Sequence, residues 1–480
     1  SERSASVFDL TFADDYLRLN WQYKSTDGWY EIPSGPSQRV IQGAIGVNAQ
    51  PLEIEPEYDG LVISGQLAAV DLVDWVAKDG AAAVDLPMNW QIRGLQVGDF
   101  VVDDLSFANL TLSGQGDSST AVFQVRSEDV AGSIDLSDPS RPEFDLLTLR
   151  LPGTGSGETA LRENLDPIDL AVGRGLPRAK VFVNELMIDK SPFGRWKFEI
   201  YPESGGVRFD IEDVLVNGVD IKDSVIHWNL EQNRSAFSGA VHVQDLAEVL
   251  PQWGYAPVVT SKAASVVGNL SWAGSPANLN LAKSEGGVSL RAEEGSFLEL
   301  DSGQAGLRVV SLLNITALTK RMTFDFSDVV GEGIRFEEAF GDVQLEDQKL
   351  SFTKNLVIES TSSRYEFGGE VDLGGNMLDG EMVVTLPVSD SLPWYAAYLA
   401  LANPLAGLGL AVGERVFRKP IEQMSSAKFV VSGALDDPEV TFTELFNKDI
   451  KEADAAGERL SPDLLKDQRD AGAVEASTGR

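Results

Sequence analysis

The sequence predicts a mainly β protein: an elongated, curved antiparallel sheet with a few short helices and an apolar helical segment near its C-terminal end. Three observations support this prediction. Apolar and polar residues alternate in many short stretches, glycine recurs inside such stretches, and turn-forming pairs separate them. The chain has 480 residues, whereas single cores usually stop growing at about 250 to 300 residues. We therefore expect several domains or one elongated, repeating body.

Period-two alternation is the strongest of these signals, because it places apolar side chains on one face of a strand and polar side chains on the other. Turn signals such as Asp138-Pro139 and Gly205-Gly206 lie between the alternating stretches and predict hairpins. The stretch 16–23 near the N-terminus also resembles a strand. The alternating stretches are residues 123–126, 195–200, 207–212, 288–291, 322–327, 343–346 and 440–443.

Glycine recurs in an apolar-x-Gly-x-apolar element, and a glycine inside a strand often marks a bulge or a bend. This pattern predicts a sheet that curves, although glycine is also simply common in this chain, with 45 residues. After two of the elements an Asp follows at the same offset, with an acidic residue three positions later, which predicts short helices near 71–78 and 245–253. The glycines of the five elements are Gly65, Gly132, Gly239, Gly369 and Gly433.

The composition excludes several classes of function. A formal net charge of −35 makes nucleic acid an unsuitable partner, since phosphate binding needs a basic surface, and the absence of cysteine excludes disulfides and thiol nucleophiles. His227 and His242 lie in strand-like stretches between apolar neighbours, where surface or structural histidines are the usual case. The glycine-rich segment 153–157 lacks the Lys-Ser/Thr of a phosphate-binding loop, and a polysaccharide-active enzyme would need a paired acid and base that no pattern suggests. We predict no catalytic residue, no metal site, no cofactor and no enzyme activity.

Burial of the apolar strand faces is the informative problem. Alternating strands create an apolar surface that must leave water, and the few short helices predicted here cannot cover it. Two solutions remain open. Either the sheet closes on itself as a structural or adhesive β-solenoid or sandwich with a self-buried core, or it forms a curved trough whose occupant is itself apolar.

The segment from Ser391 to Gly413 is the longest stretch without a charged residue. Its prolines and glycines favour two short apolar helices, at 394–402 and 405–417, over one membrane-spanning helix. Such helices could contact a membrane, because aromatic residues favour a membrane interface and the cations that follow could meet lipid headgroups. The alternative is that they plug the end of the sheet. The candidate membrane-contact residues are Trp394, Tyr395, Tyr398, Leu399, Leu405, Leu408, Arg415, Arg418 and Lys419.

Part of the chain resembles a known family. Residues 308–314, 321–336 and 340–345, then 365–373, 383–387 and 431–438, resemble in order and spacing the C-terminal region of the YhdP branch of the AsmA-like proteins of Gram-negative bacteria. The detailed resemblance covers about 307–446. Upstream, the similarity is limited to strand-Gly-strand repeats and short helices. We therefore divide the chain into a repeating β-groove at 1–306, an AsmA-like C-terminal region at 307–446 that includes the apolar helical insert 391–420, and a charged, flexible tail at 447–480.

The resemblance implies a bridge-like lipid transfer protein: a sheet lined with apolar side chains that crosses the periplasm and conducts phospholipid between the inner and outer membranes. It also implies support of the outer-membrane permeability barrier, an inner-membrane anchor upstream of this fragment, and contact of the C-terminal end with the outer membrane or an outer-membrane protein. The N-terminus has no initiator Met and no signal peptide, which agrees with a fragment.

The apolar trough that the resemblance implies would also explain how the apolar strand faces leave water. An acyl chain in such a trough gains about 0.8 kcal/mol per buried CH₂. The alternating apolar residues are then expected to line that trough. The candidate lining residues are Phe198, Ile200, Val207, Phe209, Ile211, Phe324 and Phe326.

Overall fold

The computed structural model describes twelve ranges of the chain, and within them the chain is mainly β, which confirms the predicted class. Strands include the predicted stretches near 123, 195, 207, 288, 343 and 440, and the strand-like stretch 16–23. The predicted strand at 322–327, the apolar insert and the C-terminal tail lie outside the described residues. Of the predicted helix near 71–78, Asp71 is the last residue of a strand, and residues 72–78 lie outside the described residues. The described ranges are 7–34, 42–53, 59–71, 88–102, 105–151, 170–188, 191–253, 256–298, 334–361, 363–385, 426–435 and 437–446.

The strands are numbered in chain order. They are β1 (Val7–Phe12), β2 (Tyr16–Tyr23), β3 (Thr26–Pro33), β4 (Gln42–Val47), β5 (Gly60–Asp71), β6 (Trp90–Val102), β7 (Leu105–Gly116), β8 (Ala121–Arg126), β9 (Val130–Asp135), β10 (Glu143–Leu151), β11 (Ala179–Ile188), β12 (Ser191–Pro192), β13 (Arg195–Glu203), β14 (Gly206–Val216), β15 (Val219–Asn229), β16 (Arg234–Val243), β17 (Val259–Thr260), β18 (Ala263–Ala273), β19 (Glu285–Phe297), β20 (Ile334–Glu346), β21 (Lys349–Ser360), β22 (Ser363–Asp372), β23 (Met377–Thr385), β24 (Ser426–Ala434) and β25 (Asp437–Phe446).

Helical elements of the described residues are short. The α-helices are α1 (Leu170–Gly175) and α2 (Leu246–Val249), and 3₁₀ turns lie at Leu250–Trp253, Pro276–Asn278 and Leu281–Lys283. None of the helices within the described ranges combines the length and the apolar character needed to cross a membrane.

The chain divides into two compact units. The first comprises Ser1–Gly254, Ala263–Leu290 and Gln344–Gln348, and the second comprises Tyr255–Lys262, Arg291–Val343 and Lys349–Arg480. Each unit is described below by itself.

The first unit contains an open, mixed sheet rather than a purely antiparallel one. Most neighbours along the chain pair as antiparallel strands, but β4–β5, β5–β6 and β10–β11 pair in parallel. Parallel neighbours need a long connection that returns the chain to the end at which the previous strand began. Long connections are available between Val47 and Gly60, between Asp71 and Trp90, and between Leu151 and Ala179. The prediction of an antiparallel sheet missed these pairings because turn signals do not reveal where a long connection leads.

Four of the five glycine elements lie at irregularities of the sheet. Register shifts occur beside Gly65 on β5, opposite Gly132 on β10, opposite Gly239 on β15, and opposite Gly369 on β21. At Gly239 the reason is a close approach, since a Cβ there would lie 2.0 Å from Ser224 Oγ. The glycines therefore mark β-bulges, as the sequence predicted.

The second unit contains a regular antiparallel series. Strands β21 to β25 pair in chain order, so that Phe367 lies opposite Met382, and Met382 lies opposite Phe429. Strand β17 pairs with the end of β19 through Val259 and Phe297. Alternation in β21 to β25 therefore places one set of apolar residues on a common face.

Helix α2 lies where the sequence places a short helix. The Asp245 carboxylate caps it by accepting a hydrogen bond of 2.9 Å from the backbone N–H of Ala247. Val249 of this helix packs on the β14–β15 turn, where a Cβ on Gly218 would lie 2.5 Å from Val249 Cγ2. The helix thus covers the end of the β14–β15 hairpin.

Candidate functional site

Five of the predicted lining residues share one face of the β13–β14 pair. Phe198 lies opposite Ile211, and Ile200 lies opposite Phe209. Val207 lies opposite Pro202 and, on its other side, opposite Trp228 of β15. A bulge between Lys197 and Phe198 absorbs one extra residue and keeps the alternation on the same face. Phe324 and Phe326 lie outside the described residues.

This face extends across the neighbouring strands of the first unit, and we call it the central apolar face. Toward β10 it continues through Ala179 and Val181, and toward β18 through Ile226, Phe237 and Leu270. Its members pack in clusters that share Phe144, Val181 and Trp196. The central apolar face consists of Phe144, Ala179, Val181, Trp196, Phe198, Ile200, Val207, Phe209, Ile211, Val214, Ile221, Ile226, Trp228, Phe237, Val241, Val266, Leu270 and Trp272.

Strand register arranges this face in rows that run across the strands. One row, which we call the central row, joins Phe209, Ile226, Phe237 and Leu270, and all four side chains are only half-buried. Adjacent strands lie about 4.8 Å apart, so the row spans about 14 Å. The central row is therefore a continuous apolar strip that water still reaches.

Next to the central row lies a row of small residues: Ser224, Gly239 and Gly268. Beyond it, Ile221, Val241 and Val266 form a further apolar row. Ser224 adds no unpaired polar group, because its Oγ donates to the Lys222 carbonyl at 2.8 Å and accepts from the Ala240 N–H at 3.2 Å. Small residues between two rows of larger apolar ones make a furrow, which we call the glycine furrow.

The opposite face of the same strands is charged. Arg141 donates two hydrogen bonds to the Glu199 carboxylate, at 2.8 and 2.9 Å, and Arg178 donates two more, at 3.2 and 3.3 Å. These hydrogen bonds lower the pKa of Glu199 to about 2, against the opposing effect of its burial. Glu199 is 6% exposed, so this carboxylate is a buried charge with complete pairing.

Two guanidinium groups flank one aromatic ring beside this carboxylate. Arg178 lies 4.9 Å and Arg208 lies 4.2 Å from the ring centroid of Tyr201, within the range of cation–π attraction. Arg208 also pairs with Glu203 at 2.9 Å and with Asp210 at 2.7 Å. The charged face thus holds β11, β13 and β14 together without using the apolar face.

Helix α1 lies on the central apolar face. Gly173 is buried against it so closely that a Cβ would lie 2.5 Å from the Trp228 ring and 2.6 Å from Leu230. The residues at this end of the strands, which include Ile200, Val207 and Trp228, are buried, whereas the central row beside them is half-buried.

In the second unit the equivalent apolar face is buried along β22, β23 and β24, whereas Leu350 of β21 and Val440 and Phe442 of β25 are half-buried. Phe429 is 3% exposed and meets Phe442 edge-on, with ring centroids 5.9 Å apart. On the reverse face of β22, Arg364 and Glu366 are buried as well and pair at 3.0 Å. The buried apolar members are Leu356, Ile358, Tyr365, Phe367, Val371, Leu378, Met382, Val384, Ala427, Phe429 and Val431.

The remaining predicted residues lie away from the central apolar face or outside the described residues. His227 and His242 are exposed on the charged side of their strands, and His227 Nδ1 lies 3.6 Å from Glu203. All nine candidate membrane-contact residues, Trp394 to Lys419, lie outside the described residues.

Several important residues escaped the sequence prediction. Trp228 and Phe237 belong to the same face as Phe209, and the alternation around His227 carries that signal. The contact of Gly173 with Trp228 had no sequence signal, because a six-residue helix with two glycines shows no helical periodicity. The role of Glu199 was also hidden, since its partners Arg141 and Arg178 are distant in sequence.

Comparison with known proteins identifies the family of this chain. The model of the YhdP protein family matches residues 11–440. The chain belongs to the YhdP family. Over 269 residues it is 24% identical to the intermembrane phospholipid transporter YhdP of Escherichia coli strain K12, a match that covers 56% of this chain and 21% of that relative. The chain thus matches about a fifth of the relative's length, and no solved structure matches it.

Proposed function

We propose that this chain binds phospholipid through its acyl chains on the central apolar face and conducts it between the inner and outer membranes of a Gram-negative bacterium. The observation that supports this most directly is the half-buried central row beside the glycine furrow, backed by a charged face. The name of the E. coli relative, an intermembrane phospholipid transporter, supports the same ligand.

Physical chemistry favours acyl chains at this place. Each buried CH₂ contributes about 0.8 kcal/mol, and the furrow offers apolar side chains on both sides with no unpaired polar group at Ser224. A row that runs across the strands lets a chain slide from strand to strand without breaking hydrogen bonds. The headgroup would stay in solvent, so no catalytic chemistry is required.

Two variants on one strand test the proposal. Phe209→Asp puts a charge into the central row, and Leu215→Asp puts the same charge on the charged face of β14, where Leu215 is 40% exposed. We expect purified protein to carry phospholipid by native mass spectrometry and lipid extraction, with at least a five-fold loss in Phe209→Asp and little loss in Leu215→Asp. Absence of phospholipid from the unmodified protein would favour a structural β protein with a self-buried core.

The wider role is part of the same proposal. The chain works in the periplasm and supports the permeability barrier of the outer membrane, and the segment 391–413 docks on that membrane or on a protein in it. Replacement of Leu399, Leu405 and Leu408 by Asp is expected to abolish binding of the chain to liposomes. Unchanged binding would leave this segment as a plug of the sheet.

A further inference from the structure

Helix α1 is a weak helix on an apolar surface. It has six residues, two of them glycine, whereas isolated helices shorter than about 12 to 15 residues are marginal in water and glycine is the least favourable helix residue apart from proline. Its position therefore depends on packing, through Gly173 on Trp228 and Leu230 and through Leu176 against the same cluster.

The surface beneath α1 is continuous with the central row. Ile200 lies opposite Phe209, and Val207 lies opposite Trp228, so the covered residues and the half-buried residues belong to adjacent positions of the same strands. Gly173 lies against Trp228 and Leu230, and Leu176 packs on the buried cluster to which they belong. We call this cluster the covered surface, and its buried members are Ala179, Ile200, Val207, Trp228 and Leu230.

We propose that this covered surface is a second acyl-chain site and that α1 occupies it in the absence of lipid. The proposal rests on the proposed function, because its ligand is the acyl chain of a phospholipid. The contacts that Gly173 and the following Leu176 make with this surface are apolar, so an acyl chain that advances from the central row replaces them with contacts of the same kind. Trp228, which is 1% exposed, then changes its cover from Gly173 to lipid.

Two glycines of α1 provide a matched pair of variants. A Cβ at Gly173 collides with Trp228, whereas a Cβ at Gly175 has nothing within 4 Å. Both Gly→Leu substitutions raise helix propensity alike, so only Gly173→Leu should displace α1 from the sheet. Gly173→Ala is a milder variant, and the melting temperature of each protein shows whether the sheet still folds.

The absence of cysteine makes the readout simple, because Leu230→Cys provides a single thiol beneath α1. We expect maleimide to label this thiol at least five-fold faster with Gly173→Leu than with Gly175→Leu. Vesicles of palmitoyl-oleoyl phosphatidylethanolamine and phosphatidylglycerol are expected to slow the labelling with Gly173→Leu again, since acyl chains cover the thiol. Equal labelling in the two variants would overturn the role of α1.

A photo-crosslinker at Phe209 separates failure of this site from failure of the proposed function. If lipid crosslinks at Phe209 but does not slow labelling at position 230, the second site is wrong and the central row stands. If lipid reaches neither position, the proposed function is wrong and this site is wrong with it.

Discussion

The central apolar face of the first unit and the apolar face of β21 to β25 in the second unit are built by the same rules but differ in cover. Both arise from period-two alternation across antiparallel strands, and both contain glycine at a bulge. In the second unit Phe367, Met382 and Phe429 are buried. In the first unit Phe209, Phe237 and Leu270 are half-buried.

This difference separates two uses of one sheet design. A buried row such as Phe367, Met382 and Phe429 stabilises the fold, because its side chains already have their partners. A half-buried row gives up part of that stability and keeps a surface on which an apolar ligand gains free energy by binding. The first unit is therefore where we expect lipid to bind, and the second unit is where we expect the sheet to be most stable.

The comparison is tested most strongly by the same truncation in each unit. Phe429→Ala is expected to lower the free energy of unfolding by about 3 to 5 kcal/mol, as for buried phenylalanines generally. Phe209→Ala should lower it by about 1 to 2 kcal/mol, since this ring is half-buried. Chemical denaturation of the two variants measures both values, and equal losses would show that the two faces do not differ in cover.

The charged face of the first unit should give the next largest effect. The pKa of Glu199, about 2, lies below its ordinary value of 4.5, so ionised Glu199 stabilises the fold above about pH 4.5 and this stabilisation is lost as the pH falls toward 2. The shift corresponds to about 3 kcal/mol. Glu199→Gln should lose that much at pH 7 and show a smaller difference from the unmodified protein at lower pH.

Glu212 provides the control for this effect. It pairs with Lys197 at 2.5 Å on the same face, but both side chains are exposed, and such pairs contribute at most about 1 kcal/mol. The control variant is Glu212→Gln. The free energy of unfolding of each variant is measured between pH 2 and 7, and its difference from that of the unmodified protein should depend strongly on pH only for Glu199→Gln. A pH-independent difference would mean that the carboxylate acts by packing alone.

The bulge glycines should give the smallest effect and the same effect in both units. Gly132 and Gly369 have φ values of +154° and +152°, and a Cβ on either would lie 2.4 Å from a backbone carbonyl oxygen, of Asp145 or Asp379. Each Gly→Ala substitution is expected to lower the melting temperature and to lower the free energy of unfolding by about 1 to 3 kcal/mol. Gly175→Ala, in open surroundings, is the control and should cause no loss.

Sequence alternation predicted which residues share a face, because the side-chain period of a strand is fixed by geometry. It placed Phe198, Ile200, Val207, Phe209 and Ile211 together, as the register shows. It did not predict cover, because cover depends on contacts between distant segments, as between Gly173 and Trp228. For the same reason the parallel pairing of β10 with β11 had no local signal.

Photo-crosslinking in cells tests the central claim most directly. A benzophenone side chain is placed at Phe209 in the central row, at neighbouring Arg208 on the charged face, or at Phe429 in the second unit. We predict phospholipid adducts at Phe209 and none at Arg208 or Phe429. Adducts at Arg208 as strong as those at Phe209, or no adducts at Phe209, would contradict the assignment of the central apolar face as the lipid-binding surface.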